Sequence, residues 1–140
     1  MLIDEDVAEP FIAMLVHLLP THEVTSVRAY GWSGKKDVPL YADAAKRGFK
    51  VMVSANHRQL LNPDEVRAIR KSKMHVIHYE QADGISGLGR TAGGLLASIV
   101  PVIAELDSAS SQLLVLIPCT SARKRHEVTD PRKKPPQYWT

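Results

Sequence analysis

Cysteine is almost missing from this chain: Cys119 is the only one in 140 residues. That excludes an internal disulfide framework and any zinc cluster resting on several thiolates. A reducing cytoplasm is then the expected compartment. Long apolar runs are also missing; no uninterrupted stretch reaches the roughly 18 residues of a membrane span, so no membrane partner is expected. Met1 to Asp6 carries three acids and no base. A secretory leader starts basic and turns apolar, so none is expected here. No internal repeat is visible. Gly84-Ile85-Ser86-Gly87-Leu88-Gly89 lacks the Gly-Lys-Ser/Thr of a phosphate loop and reads as a flexible loop. Neither Ser33 nor Ser86 has the setting of a nucleophile elbow.

What is present suffices for one domain, since 44% of the residues are hydrophobic and 140 residues bury a sizeable core. The net charge of +3 is unevenly spread. Residues 1–118 hold 12 Lys/Arg against 13 Asp/Glu; residues 119–140 hold six against two. The expected division is a domain over 1–118 and a basic, Pro-rich tail over 119–140. A near-neutral body with a basic tail suits a polyanionic partner, and equally a solvated tail.

Apolar runs and turn signals alternate along the chain. Met1 to Ile3 reads as a buried strand that opens onto Asp4-Glu5-Asp6. Phe11, Met14, Leu15, Leu18 and Leu19 share one helix face, with Pro10 in the first turn and Pro20 as the stop. Glu23 to Val27 predicts a short strand. A helix from about Asp37 carries Leu40, Ala44 and Ala45 and ends at Gly48. Lys50 to Val53 predicts a strand with a polar exit, Ser54 to Arg58. Asn62-Pro63-Asp64-Glu65 is a helix start, for a helix reaching about Lys73. His75 to Tyr79 and Gln112 to Ile117 predict strands around a long apolar helix, Thr91 to Leu106. Strands alternating with helices imply an α/β fold, a mostly parallel sheet covered on both faces.

Ligands of such sheets bind beyond the carboxyl ends of the strands. Asp4, Glu5 and Asp6 collect there after the first strand and Asn56, His57 and Arg58 after the third, with Asp37 at the head of the second helix. Carboxylates brought together raise each other's pKa, and a hard divalent cation such as Mg²⁺ or Mn²⁺ removes that cost. Bland readings stand beside this one. Glu5 and Asp6 suit a helix N-terminus, Asp37 a helix cap, Asn56 a plain loop amide, and His57 a solvated loop. Trp32 suits base stacking or lid packing.

Leu2-Ile3-Asp4-Glu5-Asp6-Val7, then Gly34-Lys35-Lys36-Asp37-Val38-Pro39-Leu40, then Val51-Met52-Val53-Ser54-Ala55-Asn56 resembles the PIN-like proteins related to the VapC ribonuclease toxins of type II toxin–antitoxin systems. The family pattern is a strand ending in Leu-Asp-Glu-Asn, a Ser-Gly-x-x-Asp before a helix, and a strand ending in Thr-x-Asp. The resemblance implies a three-layer α/β/α PIN-like sandwich and a metal-dependent endoribonuclease. Asp4, Asp6 and Asp37 would be its metal residues for Mg²⁺ or Mn²⁺, with Asn56 completing the catalytic set. It also implies an RNA substrate and an antitoxin protein as partners. Arg58, His57, Arg123, Lys124 and Arg125 are the candidates for holding RNA phosphates. The chain departs from the pattern at Asn56, where the family carries an acid, and at Arg58, where it carries another. Those departures favour an alternative, a catalytically weakened PIN-like protein that binds nucleic acid or a protein without cleavage. A homodimer through Pro135, Pro136, Tyr138 and Trp139 is the rival role for the tail. A response-regulator-type domain would need an Asp ending the third strand, and Ser54-Ala55-Asn56 supplies none.

Overall fold

The computed structural model describes residues 1–120. Five strands form one all-parallel sheet: β1 (Leu2–Ile3), β2 (Thr25–Ser26), β3 (Val51–Ser54), β4 (His75–Tyr79) and β5 (Leu114–Ile117). Four helices connect them: α1 (Glu9–Leu18), α2 (Asp37–Lys46), α3 (Pro63–Ser72) and α4 (Gly84–Ser108). A 3₁₀ turn, His57–Leu61, precedes α3. The expected α/β/α sandwich with a parallel sheet is what forms.

The strand order is β2-β1-β3-β4-β5. The chain leaves β1 toward one edge and then returns past it to the other, so the order reverses between β1 and β3. That crevice is where open α/β sheets bind ligands. Side chains one apart on a strand point to opposite faces, and the core divides accordingly. Ile3, Val53, Ile77 and Tyr79 pack with Phe11 and Leu15 of α1 and Leu95, Ile99 and Ile103 of α4. Leu2, Met52 and Val76 pack on the other face with Leu40, Tyr41 and Ala44 of α2 and Ile69 of α3.

One connection departs from the rest. β3–α3–β4 and β4–α4–β5 step in the same direction along the sheet, but α3 and α4 cover opposite faces. The last crossover therefore has the opposite hand to the other three. Right-handed connections make up about 98% of such units, which makes this one the left-handed exception. Its consequence is that the α2/α3 face of β5 has no helix over it: Leu114 and Leu116 remain exposed.

Local signals explain most boundaries. The Asn62 side chain accepts from the Asp64 N–H at 3.0 Å and donates to Glu65 at 2.8 Å, closing the first turn of α3 behind Pro63. Gly48 has φ +84 just past α2, the left-handed position that favours glycine. The Gly84–Gly89 loop is a correction: those residues are the first turns of α4, which begins seven residues before Thr91. Of their glycines, Gly87 serves packing. A Cβ on Gly87 would lie 2.4 Å from the Ala82 carbonyl. Thr91 Oγ1 accepts from the Ala82 N–H at 3.0 Å and donates to the Gly87 carbonyl at 2.9 Å.

By length and composition α4 does meet the measure of a membrane span, with 25 residues and a mean hydropathy of 1.4 over its most apolar window. The buried stripe Leu95, Ile99, Ile103 and Leu106 explains this, because it covers the sheet.

Tyr79 ends β4 edge-on to Phe11, with ring centroids 6.2 Å apart. Its hydroxyl is buried without a hydrogen-bond partner among the described residues. A buried unpaired hydroxyl costs about 1–3 kcal/mol. Tyr79→Phe is therefore expected to raise stability by about 1 kcal/mol in urea melts, and a loss of stability would contradict the accounting.

Candidate functional site

Asp4 directly follows β1 and continues its ladder, its N–H donating to the Val53 carbonyl at 2.8 Å. Only 8% of the residue is exposed. Its Oδ1 accepts from the Glu5 N–H at 2.7 Å. Burial and the charge of Asp6 raise its carboxyl to about 6, against the pull of the Glu5 and Ser54 hydrogen bonds; Asp37 adds to the rise. Every neighbouring charge named here is negative. That is the signature of uncompensated carboxylates gathered at one place.

Asp6 bridges β1 to the exit of β3. Its Oδ2 accepts from the buried Ser54 hydroxyl and its Oδ1 from the Ala55 N–H, both at 3.0 Å. Crowding of the carboxyl, then the charge of Asp37, raises its pKa despite these bonds. Asp37 is the first residue of α2, and the helix has no side-chain cap bond. The cap reading is thus replaced by proximity to the acids, since its charge acts on Asp4, Asp6, Tyr41 and Glu65. Glu5 turns the other way. Its Oε2 accepts from the Gly34 N–H at 2.9 Å and its carbonyl from Arg28 at 2.8 Å. It holds the Gly31–Gly34 loop in place, with Gly34 at φ +76.

Asn56 is exposed, and its N–H donates to Ser54 Oγ at 3.0 Å. His57 and Arg58 follow it on the surface of the 3₁₀ turn. Trp32 stands edge-on to Tyr30, with Lys35 over its ring at 4.8 Å. It is partly buried and packs against the α2/α3 core. Arg123, Lys124 and Arg125, with the rest of the tail beyond Thr120, lie outside the described residues.

Three residues of this region escape a reading of the sequence alone. Glu65, read as a helix-start residue, is raised first by burial and then by the charge of Asp37. Gln59 is fully buried within a polar 3₁₀ turn, and its Oε1 accepts from the Tyr41 hydroxyl at 3.0 Å. His78 Nε2 lies 3.3 Å from the same oxygen, so His78 is the donor there. Burial and His57 hold its pKa below the ordinary imidazole value, keeping it neutral. Burial and the four acids push the Tyr41 hydroxyl well above its ordinary value. A polar layer thus runs from the acids through Tyr41 and Gln59 to β4. The signal for Glu65 was present, but its capping role absorbed it.

The acids form two neighbourhoods, Asp4 with Asp6 and Asp37 with Glu65. Among the described residues no three His, Cys, Asp or Glu side chains converge as a ready metal cage. The donor chemistry still suits a hard cation that keeps several waters, with uncompensated carboxylates as the attraction. A cavity of about 300 Å³ lined by Met1, Glu23, Lys50 and Val51 opens at the amino ends of the strands, the edge that open sheets do not use. No protein-family model, curated protein or solved structure matches the chain.

Proposed function

We propose that this protein is a Mg²⁺- or Mn²⁺-dependent endoribonuclease of the PIN-like type, the cytoplasmic toxin of a toxin–antitoxin pair. The observation that carries the reading is the buried Asp4 carboxyl, held at about 6 beside Asp6 at the β1/β3 switch point. Asp4, Asp6 and Asp37 would hold the cation, with Glu65 beside Asp37. When bound, the cation supplies an activated water and neutralises charge developing on a phosphoryl group. Asp6 is oriented by Ser54 and Ala55. When the cation is bound, its charge would hold Asp4 ionised and offset the cost of burying that carboxylate beside Asp6. Arg58 and His57, exposed on the turn after β3, would hold RNA phosphates.

A second reading, binding of nucleic acid or a protein partner without cleavage, is favoured by the open donor arrangement and by Asn56, which adds no charge. One experiment separates the two. Cation binding is measured by calorimetry and cleavage of single-stranded RNA is followed with Mg²⁺ or Mn²⁺. Cation-dependent cleavage supports the first reading; RNA retention without cleavage supports the second. Asn56→Asp is expected to tighten cation binding about tenfold, since one added carboxylate beside the site strengthens attraction for a hard cation. Unchanged affinity would remove Asn56 from the site.

A further inference from the structure

Among the described residues β5 pairs with β4 alone and forms an edge of the sheet. The carbonyls of Leu113 and Ile117 accept from Val76 on β4 and from Glu80 just after it. Main-chain groups alternate in direction along a parallel strand, so those of Leu114 and Leu116 point away from the sheet. The side chains of the same two residues are exposed, at 53% and 57%. Beside them the 3₁₀ turn adds Leu60 at 39% and Leu61 at 82%. These leucines, with His57 and His78, border a groove of about 340 Å³. It exists because α4 crosses over the opposite face.

Edge strands are normally blunted by charge, proline or a bulge. Here Ser108 to Thr120 contains no Lys, Arg, Asp or Glu, and Pro118 comes only after the strand. An exposed apolar patch of this kind marks an interaction surface. The unpaired main chain specifies an extended strand as its occupant, and the side chains specify an uncharged apolar one.

The geometry points to a second copy of this chain, paired through β5 in antiparallel fashion about a two-fold axis. β5 itself meets both requirements, and a two-fold interface needs a self-complementary patch. With the axis beside Val115, Leu114 of each copy faces Leu116 of the other, and Leu60 and Leu61 flank them. Each copy contributes more than two whole leucine surfaces as an apolar centre. The uncharged Ser110, Ser111 and Gln112 supply the rim of an interface, which in a stable dimer totals about 800 Å² per partner. An ionic partner gains nothing from an uncharged strand, whereas two copies meet there without repulsion. The antiparallel pair points the two acidic edges in opposite directions, so the dimer is independent of the ribonuclease reading.

The test uses the full chain. Sedimentation and light scattering over a hundredfold range of concentration are expected to give a dimer that 0.5 M salt does not weaken. Hydrogen exchange at the amides of Leu114 and Leu116 should slow as concentration rises. Leu116→Lys should give a monomer with an unchanged circular dichroism spectrum. Should that variant unfold, Leu61→Lys, on an exposed turn, must weaken dimerisation at least tenfold. A monomer at every concentration overturns the proposal. So does a dimer indifferent to both substitutions, or protection of those amides that does not depend on concentration, which would mean another occupant.

Discussion

Under the proposed ribonuclease reading, Asp4→Asn is expected to abolish metal-dependent RNA cleavage and, at the same time, to make the metal-free protein more stable. Ordinary loss of function by misfolding would do the reverse to stability. The carboxyl sits at about 6 instead of its ordinary 3.8 because it is buried beside Asp6. In the unfolded chain it ionises near 3.8, so between those values the folded state holds the extra proton. Stability therefore falls as pH rises from about 3.8 to about 6, and the cost is complete above that. The size is roughly 3 kcal/mol at neutral pH. An amide removes the charge and keeps an oxygen for the Glu5 N–H. Part of the gain is offset by a weaker, uncharged bond from the Glu5 N–H, leaving about 1–3 kcal/mol. Thermal melts at pH 7 and pH 4 decide the matter. The variant should melt higher than the parent at pH 7 and nearly equally at pH 4. Mn²⁺ should raise the melting point of the parent at pH 7 and leave the variant unmoved. Undiminished cleavage by the folded variant would remove Asp4 from the site.

Gly94→Ala should, like Gly87→Ala, be among the most damaging small changes in α4, although alanine is normally the better helix former by about 0.5–1 kcal/mol. A Cβ at Gly94 would stand 2.4 Å from the Pro118 carbonyl oxygen. That contact closes the helix onto the segment after β5, where Thr120 also donates to the Arg90 carbonyl and Arg90 Nε donates to the Thr120 carbonyl at 2.9 Å. Forcing a methyl into a packed contact costs about 1–3 kcal/mol, a fall in melting temperature of roughly 3–10 °C. Gly89 lies on the same helix with nothing within 4 Å of its Cβ position. Gly89→Ala should therefore stabilise by about 0.5–1 kcal/mol. Gly93, 3.2 Å from the Thr120 methyl, should fall between them. Equal effects at Gly89 and Gly94 would mean that helix propensity, and not the approach to Pro118, controls this helix.

Residues close together in the chain carry their own instructions, and those could be read directly. His75 to Tyr79 and Val51 to Val53 are apolar runs long enough only for buried strands, and both became strands. Asn62-Pro63 opens α3 because an amide cap and a pre-set φ act within one turn. Asp4 and Asp6 stand at the end of β1 whatever the sheet does beyond it, so an acidic carboxyl edge was legible before any fold. The alternation of strand and helix also implied a parallel sheet, because parallel neighbours need a crossover between them.

What lay beyond reach depends on partners far apart in the chain. Gly84 to Gly89 has the composition of a loop. It becomes helix because Gly87 lets the first turn close on Ala82 and Gly94 lets a later one close on Pro118. Glu65 reads as a capping residue, which it is, and only the packing of α3 beside α2 brings it to Asp37. Gln59 is polar on a short turn, and burial came from Tyr41 and His78 arriving from two other elements. The hand of the last crossover is the largest such decision. Periodicity along α4 states that one stripe is apolar, and Leu95, Ile99, Ile103 and Leu106 supply it. Which face of the sheet that stripe covers is a choice between two whole surfaces, made by the sum of contacts with α1 and β4. Leucines 114 and 116 are therefore strand residues by sequence, and exposed ones only by tertiary structure.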